Sequence, residues 1–308
     1  MSNINDAFLT SLLIIAAGYI LKKLKVVSEN DGKVVSKIVI YLTFPALILH
    51  TVSSLQITSA LIFLPLVPLA FSMVLLLLFS WLLKNKVDAL KGVVFMSVCG
   101  FNIGLFAYPI IEGIWGKEGL QHLAMFDVGN AISILCISYI LGFIYSPSRE
   151  RHKPVDAATI FKMLITSVPL VSYTLALVLN VSGFQMPGLM EKFIGTLARA
   201  NMSLVLILLG IYLNIRVKKH VRRPLIYIMA ARYSIGLLLG LVLYYLLPFE
   251  PIYKTIALVG LIMPVGLTVI PFADEFGYDQ ALPVSLASIT IVFSFILMWI
   301  LILTLQLA

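Results

Sequence analysis

Ten stretches of nearly unbroken apolar sequence, each close to the ~20 residues needed to cross a bilayer, dominate this chain of 308 residues. They run at about 6–25, 35–54, 58–83, 90–112 and 119–145, then at 158–181, 189–214, 224–247, 253–273 and 280–306. Hydrophobic residues make up 61% of the chain and charged residues only 12%, with a mean hydropathy of +1.05. A soluble domain cannot coat itself with so little charge, so the class is a polytopic, all-α membrane protein.

The basic residues sort by side. One set of loops holds Lys22, Lys23, Lys25, Lys33 and Lys37, then Lys84, Lys86 and Lys91, then Arg149, Arg151 and Lys153. Arg216, Lys218, Lys219, Arg222 and Arg223 follow the seventh stretch, whereas the opposite loops hold little beyond Lys117, Lys192 and Lys254. This asymmetry places the rich loops in the cytoplasm and both termini outside. Asp274, Glu275 and Asp279 fall on the cytoplasmic side without a basic partner, but acidic residues count little in this rule. The net charge of +8 is therefore a topology signal, and no nucleic-acid partner is expected. The first apolar stretch runs straight into Lys22 and Lys23 and reads as a retained span rather than a cleaved signal.

Five spans precede the polar connection at 146–156 and five follow it. Because five is odd, the second half enters from the opposite side, which makes 1–145 and 157–308 an inverted repeat. Each half carries helix breakers at a corresponding place. The first set is Asn102-Ile103-Gly104-Leu105-Phe106-Ala107-Tyr108-Pro109; the second is Met263-Pro264-Val265-Gly266, followed by Pro271. Proline frees the carbonyl one turn back and glycine relaxes the backbone around it. Interruptions paired in this way mark the binding site of a secondary transporter.

With those residues in view, the chain resembles the auxin efflux carrier family over nearly its whole length, on the branch of PIN-like and bacterial carboxylate transporters. Gly18-Tyr19-Ile20-Leu21-Lys22-Lys23 is similar to the basic end of that family's first helix, and Phe44-Pro45-Ala46-Leu47-Ile48 to its second. Asn102 with Pro109, and Pro264-Val265-Gly266 leading into Pro271-Phe272-Ala273-Asp274-Glu275-Phe276, are similar to its two crossovers. The resemblance implies the ten-helix fold of sodium/proton antiporters, with broken helices 4 and 9 crossing. It also implies a scaffold of helices 1, 2, 6 and 7, a transport unit of helices 3–5 and 8–10 moving by an elevator mechanism, homodimers, and organic anion substrates. A bacterial plasma membrane location goes with it. Two departures stand out: the connection at 146–156 is short, and Ser203 stands where many relatives carry proline.

Several residues are candidates for chemistry. Asn102 can donate to a carboxylate, and Gly104, Pro109, Pro264, Val265 and Gly266 would shape half-helix ends whose N–H groups face an anion. Asp127 lies well inside the fifth span, where a carboxylate costs about 2.5–3.5 kcal/mol, with Asn130 one turn later on the same face. Asp127 is the coupling candidate, for a proton or sodium ion, and Asn130 a substrate-binding one. Arg232, two turns into the eighth span, is a candidate anion contact; Arg199 enters the seventh from outside, and either can instead snorkel to the interface. Cys99 and Cys136 read as packing residues. His50, His122, His152 and His220 lack metal-ligand spacing, and no metal or cofactor is expected. Trp81, Trp115, Tyr244 and Tyr245 read as interfacial anchors.

The leading function is carriage of small organic anions, mono- or dicarboxylates or auxin-like acids, by alternating access. The alternative is a cation/proton antiporter on the same fold, although such chemistry usually wants two carboxylates in the membrane. An intramembrane enzyme is the third reading. It lacks a Ser/His, paired-Asp or acidic metal constellation in the sequence.

Overall fold

A computed structural model of the chain describes residues 2–53, 55, 58–148, 157–214 and 217–307. Most of the expected cytoplasmic connection, including Arg149, Arg151, His152 and Lys153, lies outside the described residues, as does Arg216. The described elements are helices: α1 (Ser2–Lys23), α2 (Glu29–Val52), α3 (Ala60–Leu82), α4 (Asp88–Val98) and α5 (Ile103–Ile144). After these come α6 (Ala157–Thr166), α7 (Val168–Val181), α8 (Gly188–Tyr212), α9 (Lys219–Leu246), α10 (Pro251–Leu261), α11 (Val269–Glu275) and α12 (Ala281–Leu305).

Among the described residues seven helices, α1, α2, α3, α5, α8, α9 and α12, are long and apolar enough to cross a membrane, while α7 and α10 are apolar but shorter. The long α5 is not one rod. Gly116, at φ 57° and ψ −144°, breaks it into arms at 103–115 and 117–144, within the connection expected between the fourth and fifth spans. The outward faces stay apolar and exposed, as at Leu13, Leu77, Tyr245 and Ile296, which suits lipid rather than water.

Local signals account for several helix ends. Ser28 caps α2 in a reciprocal box: its hydroxyl accepts from the Asp31 N–H, and the Asp31 carboxylate accepts from the Ser28 N–H at 2.8 Å. That pairing holds the Asp31 carboxyl below the usual carboxylate range. Asp279 accepts from the Ala281 N–H and from His220, tying the start of α9 to the start of α12 and likewise lowering its carboxyl.

α1 and α2 lie against α8, and α7 lies against α2; α9 lies against α10 and α12, and α3 against the second arm of α5. Among the described residues three π-helical turns interrupt the ladders, at Val39–Thr43 in α2, at Ile103–Ala107 opening α5 and at Ser133–Ser138 farther along it. Such turns cluster at functional places because they release a carbonyl. At the two breaks, 99–102 and 262–268, the backbone leaves the helix, and the buried Phe101 stacks 5.2 Å from Phe71 and lies tilted 5.8 Å from Phe126.

Candidate functional site

The two breaks touch. Phe101 and Val265 form an isolated antiparallel bridge, and the Asn102 N–H donates to the Pro264 carbonyl at 2.8 Å. Each extended piece thus gives the other part of what its helix lost, as an apolar surround requires. The turn into the first break is made by Gly100 at φ 85°. A Cβ there would sit 2.3 Å from the Ile134 Cγ1, so both backbone sign and space require glycine.

Side chains from neighbouring helices hold the bridge. Asn130 behaves as a third strand: its Oδ1 accepts from the Phe101 N–H at 2.7 Å and its Nδ2 donates to the Phe101 carbonyl at 3.1 Å. On the other side the Val265 N–H donates to the Thr290 Oγ1 at 3.1 Å, and the Ser294 hydroxyl donates to the Ile262 carbonyl at 2.7 Å. The Tyr233 hydroxyl closes that network, 2.6 Å from the Ser294 Oγ and 3.1 Å from the Thr290 carbonyl.

Arg232 occupies a different place from the one expected of an anion contact. It is fully buried, with Nη1 donating to the Val98 carbonyl at 3.0 Å and Nη2 to the Gly100 carbonyl at 2.7 Å and, more weakly, the Met263 carbonyl at 3.5 Å. Its guanidinium also lies 4.3 Å from the Phe101 ring centre. The carbonyl ends of α4 and α10 are the negative ends of two broken helices, and Arg232 neutralises them. Among the described residues no carboxylate pairs with it, including Asp127. The terminal nitrogens are thus taken up by orphan carbonyls at the two breaks, while Nε is buried without a partner among the described residues.

A cavity of about 290 Å³ opens beside the bridge. Val39, Ile40, Phe44, Phe101, Ile134, Leu135 and Leu267 give it apolar walls; Asn102, Gly104, Asn130, Gly266, Thr268 and Asp127 supply the polar points. All three π turns contribute lining residues. The starts of α5, at Ile103, Gly104 and Leu105, and of α11, just after Leu267 and Thr268, border it, so positive half-helix ends face the space. The Asn102 side chain is buried, and its Nδ2 has no partner among the described residues.

Asp127 is the single ionisable side chain among the lining residues. Its Oδ1 accepts from Asn130 Nδ2 at 2.7 Å and its Oδ2 from the Tyr173 hydroxyl at 2.5 Å. The Tyr173 oxygen in turn lies 2.6 Å from that of Tyr108.

Other expected residues fall elsewhere. Pro109 does not line the cavity; it sits buried in the first α-helical turn after the π segment, where proline is tolerated. Pro264 and Val265 belong to the bridge rather than the lining, and Pro271 lies inside α11. Asn130 lines the cavity, but its amide is committed to Phe101 and Asp127. Arg199 is exposed and bonded to Thr196, and Cys99 and Cys136 are unpaired thiols. Trp115 anchors the C-terminal end, its Nε1 donating to the Leu307 carbonyl. Sequence reading missed Tyr108, Tyr173, Gly100, Thr290 and Ser294. The signals available were hydroxyl side chains in mid-span and a second glycine just ahead of Asn102.

Comparison with known proteins agrees with this picture at the level of family. A family model described as membrane transport protein matches residues 5–303. An uncharacterized transporter of Methanothermobacter thermautotrophicus is 25% identical over 279 residues, 89% of each chain. One of Methanocaldococcus jannaschii is 27% identical over 219 residues, 68% of each. Both relatives are archaeal, so the bacterial location expected from sequence finds no support in them. The chain belongs to the membrane transport protein family, the auxin efflux carriers, and is an integral membrane transporter.

Proposed function

We propose that this member of the auxin efflux carrier family is a secondary-active carrier of small organic anions, mono- or dicarboxylates, and that it works by elevator-type alternating access. The observation that carries the proposal is the sorting of charge at the crossing. Arg232 covers the negative helix ends, while the positive ends and the unpartnered Asn102 amide border the cavity. A carboxylate placed there would meet the unpartnered Asn102 Nδ2 and the positive ends of the half-helices. Asp127 on the same wall repels an anion when ionised, so we assign it as the site where a proton is taken up together with the substrate.

The fold reading that goes with this is a ten-helix inverted repeat. Counting α4 with the first arm of α5, α6 with α7 and α10 with α11, the helices group as five before the connection at 146–156 and five after it. Two-fold logic in the clamps supports the grouping: Asn130 and Thr290, each from the helix after a break, bond the N–H of the two bridging residues. Helices α1, α2, α6, α7 and α8 form the scaffold and the remainder the moving unit. Both termini face outward, and the homodimer is carried over from family likeness.

Replacing Asn102 by alanine tests the substrate assignment. Half-saturating carboxylate concentration in proteoliposomes should rise by about 1–3 kcal/mol equivalent, the cost of one hydrogen bond to a charged group. Stability should stay unchanged, because Nδ2 holds nothing and the backbone bond to Pro264 survives the substitution. Unchanged affinity with a large stability loss would make Asn102 a packing residue.

The competing reading, a cation/proton antiporter, draws on one observation: the ionisable residue on the wall is a carboxylate. It predicts sodium or potassium flux against protons, with no carriage of labelled carboxylates.

A further inference from the structure

We infer that Tyr173 is the residue through which the charge on Asp127 controls relative movement of the scaffold and the moving unit, an inference that rests on the elevator reading above. Tyr173 stands on α7, on the scaffold side, whereas Asp127 and Tyr108 both stand on α5. All three side chains are buried. The Tyr173 hydroxyl lies between the other two, 2.5 Å from Asp127 Oδ2 and 2.6 Å from the Tyr108 hydroxyl. A direct polar link therefore crosses the surface along which an elevator must slide.

Proton counting gives that link a direction. Each phenol has one O–H to donate. With Asp127 ionised, both contacts are satisfied only if Tyr108 donates to Tyr173 and Tyr173 donates to the carboxylate. Both dipoles then point at the charge, and O–H···O⁻ bonds are roughly twice as strong as neutral ones. With a proton on Oδ2, the acid donates to Tyr173, Tyr173 donates to Tyr108, and the Tyr108 hydrogen is left without an acceptor among the described residues. The link loosens as pH falls, while Asn130 still holds the other oxygen. The same proton relieves repulsion of an entering anion, so substrate entry and release of the link favour one another.

The surroundings leave control to this pair. His122, on α5 itself, bonds the Glu118 carbonyl and faces Tyr253 of α10. Arg232 of α9 is taken up by carbonyls. Among the described residues, no charged group from α1, α2, α3 or α8, which pack on α5, forms an ion pair with Asp127.

The test uses the full chain in lipid nanodiscs, with nitroxides at the exposed Lys117 and Ser182 positions and both cysteines replaced by alanine. Pulsed dipolar spectra report the separation of the two units. In the otherwise unaltered protein the population at a second distance should grow about tenfold between pH 8 and pH 5, the scale of one charge-assisted bond. Tyr173→Phe should show that second distance already at pH 8 and lose the response to pH. A Tyr173→Phe response identical to that of the parent overturns the inference, as does a parent indifferent to pH. Should Tyr173→Phe fail to fold, Asp127→Asn decides: it must show both distances at either pH, and a single distance at pH 8 overturns the inference. Carboxylate counterflow on the same proteins separates the two readings. Counterflow with no Tyr173-dependent pH response removes only the link, and the response without counterflow removes only the anion.

Discussion

Arg232→Met should destabilise the detergent-solubilised protein by about 2–6 kcal/mol, roughly 1–3 for each of the two short bonds lost. The side chain donates to carbonyls on both sides of the crossing, and neither Val98 nor Gly100 has water or lipid headgroups to turn to. Methionine keeps much of the contact with Phe101 but none of the donors. Arg232→Lys should fall between, because one ammonium keeps the charge yet lacks the planar fork that reaches several carbonyls. Unfolding followed by denaturant or heat checks both variants. A methionine variant as stable as the parent would mean that the carbonyl ends find other partners, and the sorting of charge at the crossing would lose its basis.

Asp127→Asn should abolish the response of uptake to a pH gradient while leaving exchange of bound substrate measurable. The substitution keeps the shape of the side chain. Its Oδ1 still accepts from Asn130, and its NH₂ then faces Tyr173, which reverses toward Tyr108 as it does beside the protonated acid. The variant is thus fixed in the neutral state. Uptake by proteoliposomes, compared with and without an inward proton gradient, reads the effect directly. If the variant is still driven fully by the gradient, the proton travels elsewhere.

Much of the fold was legible because its causes are local. Hydropathy windows overlie the described helices, seven of which are long and apolar enough to cross a membrane, and the connection expected between the fourth and fifth spans falls on Gly116. Pro264 lies in the second break as its ring and missing N–H require. The first break misled for an instructive reason. Pro109 marks the resumption of regular helix, and the turn itself belongs to Gly100, whose need for positive φ has no partner signal nearby in the chain. Asp127 and Asn130 were visible as a pair at helical spacing, but the grip of Asn130 on Phe101 spans 29 residues. Arg232 and Val98 are 134 residues apart. Nothing in the neighbourhood of an intramembrane arginine distinguishes a ligand contact from a cap on another helix. Tyr173 was hidden the same way, since a tyrosine in an apolar span declares its partner only once the helices are packed.

The most direct test of the account is uptake of a labelled panel of mono- and dicarboxylates by proteoliposomes holding the purified protein. It predicts saturable uptake of at least one carboxylate, accelerated by an inward proton gradient and competed by the unlabelled acid. Proton-coupled sodium or potassium flux, with no carboxylate carried under any gradient, would contradict it.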